Sequence, residues 1–174
     1  MVVVGSTIGR ISPDVIKLYT FSFSDKEKIP LANLDRAMKK GAVLDVYYES
    51  WRFIGFTYSF IDGDKMFLIY FATESYLRGK GFGKFILEET RLKYKDKRIF
   101  LVTEPEDPEA SDNDIRIRRQ NFYLRNGCKK TGVKVLSDDV WFDTMFVQGE
   151  LTEQEMVDTI RLYEDIHNGR TDGQ

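Results

Sequence analysis

The stretch from Tyr70 to Leu87, YFATESYLRGKGFGKFIL, limits what this chain can fold into more than any other. It opens as the end of an apolar strand and passes through Arg78-Gly79-Lys80-Gly81-Phe82-Gly83. It continues as a helical run with Phe82, Phe85 and Ile86 as its apolar residues. Strand, glycine loop, helix is a device for holding a phosphate. Glycine lets the backbone approach an anion closely and take φ > 0, and a helix start offers unpaired N–H groups at the positive end of its dipole. Arg78, Lys80 and Lys84 bring positive charge to the same place.

The details of the loop exclude several users of such a device. A nucleoside-triphosphate loop needs Ser or Thr after its lysine, and Lys84 is followed by Phe85. The dinucleotide fingerprint G-x-G-x-x-G fails because the third glycine position after Gly79 and Gly81 holds Lys84. A kinase loop needs HRD and DFG segments, which the chain lacks. What remains is R-x-x-G-x-G, filled by Arg78, Gly81 and Gly83, with a plain glycine-rich turn as the alternative.

The chain has 174 residues, 42% of them hydrophobic, which suits one domain with a substantial core. A formal net charge of -2 does not call for nucleic acid or an anionic membrane as partner. Cys128 is the only cysteine and His167 the only histidine, so no disulfide framework or zinc-ligand spacing exists and no metal is expected. His167 sits near a polar C-terminus, which argues against a Ser-His-Asp or Cys-His centre, and Cys128 reads as a small buried hydrophobe. No run is long enough to cross a bilayer. Met1 to Val4 is too short for a signal core, so the expected location is cytoplasmic.

Residues 1–15, with Gly5, Gly9 and Pro13, read as a flexible N-terminal arm. Ile16 to Phe23 reads as a first strand, and Leu31, Leu34 and Met38 share a helical face. That helix opens either at a Ser24-x-x-Glu27 capping box or at Pro30. Val43 to Tyr48, Trp51 to Ile61 and Met66 to Ala72 are strands, with Asp62-Gly63 as a hairpin signal. After the loop helix come a strand over Arg98 to Thr103, an acidic loop over 104–113 and a helix over Ile115 to Asn126 stopped by Gly127. Lys129 to Leu136 and Val140 to Val147 make a hairpin, Thr152-x-x-Glu155 opens a last helix, and 168–174 is expected to fray. The order implies an α+β, three-layer arrangement: one domain over 16–167 with helices on both faces of a mixed, mostly antiparallel sheet.

A second motif lies one strand beyond the first. Phe122-Tyr123-Leu124-Arg125-Asn126-Gly127 places Tyr123 and Gly127 at the spacing of Y-x-x-x-G. Together with R-x-x-G-x-G, the chain resembles the GNAT-type N-acetyltransferases. It is most similar to bacterial members whose fifth strand ends in an I-E-P-like segment and whose next helix reads R-R-x-x-F-Y-x-x-N-G, here Thr103-Glu104-Pro105 and Arg118 to Gly127. Three positions depart from the pattern: Arg119 replaces a small residue, Arg116 replaces an asparagine (Asn113 lies nearby), and Cys128 replaces an aromatic.

The resemblance implies a sheet splayed between its fourth and fifth strands, with acetyl-CoA as acyl donor and an amine as acceptor. It implies a pyrophosphate held on the backbone of Gly79, Lys80, Gly81, Phe82 and Gly83, with Arg78, Lys80 and Lys84 offsetting its charge. The pantetheine arm would run beside Phe71, Ala72 and Thr73, and Asn113 or Arg116 would take the place of the missing asparagine contact. Tyr123 is the implied proton donor to the departing thiolate, against a half-buried core aromatic. Glu104, or else Glu74, is the implied base, against a solvated loop carboxylate. Arg116, Arg118 and Arg119 meet the cofactor or form a solvated face. Tyr47, Tyr48, Trp51, Phe53 and Phe56 line an acceptor pocket or are core and hairpin pairs. A non-catalytic acyl-CoA-binding domain and a generic nucleotide-binding module are the competing readings. A homodimer through the last hairpin or helix stays open, with no residue pattern to support it.

Overall fold

The computed structural model describes residues 3–171; the extreme ends of the expected arm and tail lie outside the described residues. Seven strands form one sheet: β1 (Val3–Ile8), β2 (Ala42–Glu49), β3 (Arg52–Asp62), β4 (Lys65–Thr73), β5 (Arg98–Thr103), β6 (Lys129–Ser137) and β7 (Val140–Gln148). Five α-helices accompany them: α1 (Pro13–Ser22), α2 (Leu31–Met38), α3 (Phe82–Lys93), α4 (Asn113–Arg125) and α5 (Glu153–His167). The spatial order is β1-β2-β3-β4-β5-β7-β6, antiparallel throughout except for the parallel pair β4–β5.

Side-chain alternation along the strands divides the core into two layers. Phe67 and Tyr70 of β4 join Phe56, Tyr58 and Phe60 of β3 on the face covered by α1, α2 and α5. Met66 and Leu68 point the other way, toward Leu87 of α3 and Tyr123 of α4. The result is the three-layer α/β/α arrangement expected from the element order.

Two N-terminal expectations are corrected. The expected strand over 16–23 is helix as far as Ser22, with only the capping residue Phe23 extended. Ser12 caps α1 by accepting the Val15 amide, Pro13 occupies its first turn, and Val15, Leu18 and Tyr19 are buried at helical spacing. Residues 3–8 are an edge strand rather than a loose arm, paired from Val3↔Glu49 to Ile8↔Leu44. Gly5 is required there, because a Cβ would stand 2.8 Å from the Tyr47 ring. At the other end, Gly169 (φ 73°) closes α5 and Arg170 returns to the Asp165 carbonyl, so 168–171 form a bonded turn rather than a frayed end. The capping box at Thr152 and Glu155 forms as its spacing predicts.

The β4–β5 ladder runs only from Lys65↔Arg98 to Leu68↔Leu101. Beyond it β4 stays with β3 and β5 stays with β7, so the two strands part. At the point of parting β4 carries a bulge. Tyr58 faces Tyr70 and Ser59 faces Leu68, which leaves Ile69 as the extra residue.

Candidate active site

The parting of β4 and β5 opens two features at one end of the sheet. The first is the phosphate-type loop. After Thr73, a short 3₁₀ turn (Ser75–Leu77) leads to Gly79 (φ 74°) and Gly81 (φ 86°), conformations that side chains rarely adopt. Gly81 caps α3 with no side chain supplying a capping bond. The amides of Gly79, Gly81, Phe82, Gly83 and Lys84 donate to no backbone acceptor among the described residues. Nothing lies within 4 Å of where a Cβ would stand on Gly79 or Gly81, so the space before these amides is open. Arg78 and Lys80 are exposed and form no ion pair among the described residues, while Lys84 approaches Glu88 at 3.8 Å. Gly83 is tight for another reason: a Cβ there would meet the Phe122 ring at 3.1 Å, so α3 and α4 meet across this glycine.

The second feature is the free edge of β4. The Glu74 amide bonds the Ile54 carbonyl, and antiparallel bonding alternates. Ala72 therefore turns its peptide groups toward β3. Phe71 and Thr73 turn theirs to the side that β5 has left.

A cleft of about 150 Å³ enters through this gap. Ile69, Tyr70 and Phe71 of β4, Val102 and Thr103 of β5, Glu104, and Tyr123 and Arg119 of α4 line its inner end. Phe23, Glu27 and Ile29 from the α1–α2 connection form another wall, and the β6–β7 turn and α5 close the far end.

Tyr123 is buried, at 8% exposure, and packs against Phe122 and Phe71. Its hydroxyl has no hydrogen-bond partner among the described residues, and burial pushes its pKa well up, so the phenol holds its proton. Glu104 is partly buried and touches Arg116 and Arg119, both at 3.5 Å. Arg119 also reaches Glu27 at 3.5 Å, so two carboxylates share one guanidinium. Burial, then repulsion from Glu27, raises the Glu104 carboxyl above the ordinary carboxylate range despite the two arginines. Glu74 follows β4 but is not among the residues lining the cleft.

Other expected contacts are engaged elsewhere. Asn113 Oδ1 accepts the Asp107 amide at 2.8 Å and pins the acidic loop. Arg116 donates to Asp112 and to the Pro105 carbonyl. Arg118 is exposed and donates to the Asp114 carbonyl. The β2–β3 aromatics do not form a pocket. Tyr47 is buried and bonded to Thr57 and Thr90, Phe56 is core, Tyr48 and Phe53 pair edge-on, and Trp51 is 98% exposed in a turn. Cys128 is buried against Arg91 and its thiol pKa is raised. Among the described residues no three His, Cys, Asp or Glu side chains gather as a metal-ligand set, and no helix is long and apolar enough to cross a membrane.

Sequence reasoning missed the Ile69 bulge, the Glu27–Arg119–Glu104 bridge and the far wall. His167, which the sequence places near a polar C-terminus, is 3% exposed and lines the cleft. The Ser24-x-x-Glu27 spacing points to a capping box as one of two possible helix starts and carries no sign of the cleft. Glu27 Oε2 does accept the Ser24 amide, closing a separate turn, while α2 itself starts behind Pro30.

No protein-family model matches the chain, and no curated protein matches it in sequence. Solved structures match it in fold. A protein from Bacteroides thetaiotaomicron named as an acetyltransferase of the GNAT family aligns over 94% of this chain and 96% of its own, with a TM-score of 0.68 and 21% identity. An acetyltransferase from Bacillus subtilis in complex with CoA aligns over 86% and 100%, at TM-score 0.60 and 12% identity. An aminoglycoside 6′-N-acetyltransferase complexed with coenzyme A aligns over 87% and 100%, at TM-score 0.59 and 14% identity. The seven-stranded sheet, parted between β4 and β5 with the glycine loop at the parting, is the fold of the GNAT acyl-CoA N-acyltransferases.

Proposed function

We propose that this protein is an N-acetyltransferase that moves an acetyl group from acetyl-CoA to a primary amine by direct attack in a ternary complex. One observation carries the reading: the run of unpaired amides at the start of α3 and the free edge of β4 lie at the same parting of the sheet, with Tyr123 and Glu104 beside it. The loop fits a diphosphate, because its glycines leave open space before the amides and Arg78 and Lys80 have no acidic partners among the described residues. The edge peptides of Phe71 and Thr73 suit an extended amide-bearing arm, and a β4 amide there polarises the thioester carbonyl.

In this reading the amine loses its proton to Glu104, directly or through water, before it attacks. The raised pKa of Glu104 makes it a better base than an exposed glutamate. The nitrogen forms the new C–N bond, the C–S bond breaks, and Tyr123 gives its proton to the departing sulfur. Glu74 is the alternative base if substrate enters along the outer side of β4. Lys84 and Phe82 contribute their amides, and Asn113 and Arg116 support the cofactor indirectly by fixing the 104–113 loop.

One observation favours a second reading, a non-catalytic acyl-CoA-binding domain: Glu104 already lies between two guanidinium groups. A panel of primary amines with acetyl-CoA, read by free thiol release, separates the two. Amine-dependent release supports the enzyme. Tight CoA binding with no release across the panel supports the binding domain.

A further inference from the structure

The far wall of the cleft is built from groups that neither the donor site nor the transfer chemistry uses. Tyr163, Glu164 and His167 come from α5, and Ser137 and Asp138 from the β6–β7 turn. His167 and Tyr163 are 3% and 4% exposed, yet His167 Nδ1 and Tyr163 Oη have no hydrogen-bond partner among the described residues. The neighbouring Tyr58 hydroxyl donates its proton to the Leu34 carbonyl, so toward Tyr163 it offers only a lone pair, and the lone pairs of the Tyr163 oxygen are left to accept from a ligand. Buried polar atoms without partners are costly and uncommon, and two of them on one cavity wall point to a ligand that completes them. Glu164 accepts from Ser137 Oγ on one oxygen at 2.5 Å, leaving the other for a ligand.

The charge of the cleft selects that ligand. Four carboxylates line it: Glu27, Glu104, Asp138 and Glu164. Against them stand Arg119, already held by Glu27 and Glu104, and Lys26, which is exposed at the rim. Among the described residues no cationic side chain lines the far wall. Nearby Arg170 is paired with Asp165, and Arg36 donates to the His167 carbonyl. Burial keeps the His167 imidazole below its usual pKa, so it stays neutral and keeps a lone pair to offer. A primary ammonium has three N–H donors. Glu164, an imidazole nitrogen of His167 and Tyr163 Oη supply three acceptors. Between this wall and the parting of the strands the surface is apolar, with Phe67, Ile69, Val102 and Phe142.

We infer that the acceptor is a short diamine: one amine reacts at the parting of β4 and β5, while a second, protonated amine is held by Glu164, His167 and Tyr163 across an apolar floor. This rests on the proposed acetyl transfer, but its test separates the two. Initial rates of thiol release from acetyl-CoA are measured with 1,4-diaminobutane, 4-amino-1-butanol and butylamine, which differ only at the far end. The diamine is expected to exceed both others in kcat/KM by about tenfold or more, mostly through KM, as befits a charge-assisted hydrogen bond. Glu164→Gln, which keeps the side-chain shape, is expected to collapse the diamine-to-butylamine ratio toward one. Equal kcat/KM for the three acceptors, or a ratio unchanged in Glu164→Gln, overturns the inference while leaving acetyl transfer standing. Calorimetry of the same amines into the CoA complex covers the converse. Selective diamine binding that Glu164→Gln abolishes, without thiol release, supports the cation site and refutes the enzyme. Absence of selective binding refutes the site.

Discussion

Removing one oxygen tests the chemistry of the cleft with little disturbance to the fold. In Tyr123→Phe the ring keeps its contacts, 5.3 Å from the Phe122 centroid and 6.4 Å from that of Phe71. The deleted hydroxyl has no partner among the described residues to leave unsatisfied. Folding stability should therefore move by no more than about 0.5 kcal/mol. Loss of a positioned proton donor costs about 10²-fold in rate, or roughly 2.7 kcal/mol of transition-state stabilisation. The assay is thiol release at saturating acetyl-CoA, with the CoA Kd by calorimetry and the melting temperature of both proteins. The expected pattern is a kcat loss of about 10²-fold with Kd and melting temperature kept. A kcat within twofold of the parent refutes the proton-donor role. An equal fall in CoA affinity or stability would instead make Tyr123 a packing residue.

Further outcomes follow from other parts of the structure. Gly81→Ala forces a side chain into φ 86°, a strain of about 1–2 kcal/mol; with no clash around its Cβ, the loop amides should shift and weaken CoA binding by about tenfold, which calorimetry reads. Asp45, 1% exposed, accepts from Thr7, Lys93 and Tyr94, tying β1 to α3. Asp45→Ala leaves those donors unmatched and should cost about 3 kcal/mol in urea unfolding. Glu155 is clamped by Arg98 at 2.8 and 3.0 Å, and its carboxyl is held down to about 2. A lowered folded-state pKa stabilises above the unfolded value of about 4.3 and is lost as pH falls toward the folded one. Melting temperature should thus drop on acidification over that window, and Glu155→Gln should flatten that limb of the curve.

What could be read from the chain, and what could not, has a physical pattern. The α3 loop was legible because its signals are local: glycines at fixed offsets, then an apolar helical face. The Tyr123–Gly127 helix end and the Thr152–Glu155 cap were legible for the same reason. Helix α1 was not, because Tyr19, Phe21 and Phe23 alternate as strand residues do, and only the burial of Val15, Leu18 and Tyr19 at helical spacing decides. Strand β1 is defined by its partner β2 rather than by its own glycine-bearing sequence. The cleft was least legible. Glu27, Glu104, Ser137 and His167 lie far apart along the chain and meet only because β7 inserts between β5 and β6 and α5 folds back over the sheet.

The claim beneath the whole account is that the α3 amides grip the diphosphate of an acyl carrier. Backbone amide NMR, with CoA titrated against pantetheine, which lacks the diphosphate, tests it most directly. The account predicts the largest shifts at Gly79 to Lys84 with CoA and little change there with pantetheine. Saturable CoA binding that leaves those resonances in place would contradict it.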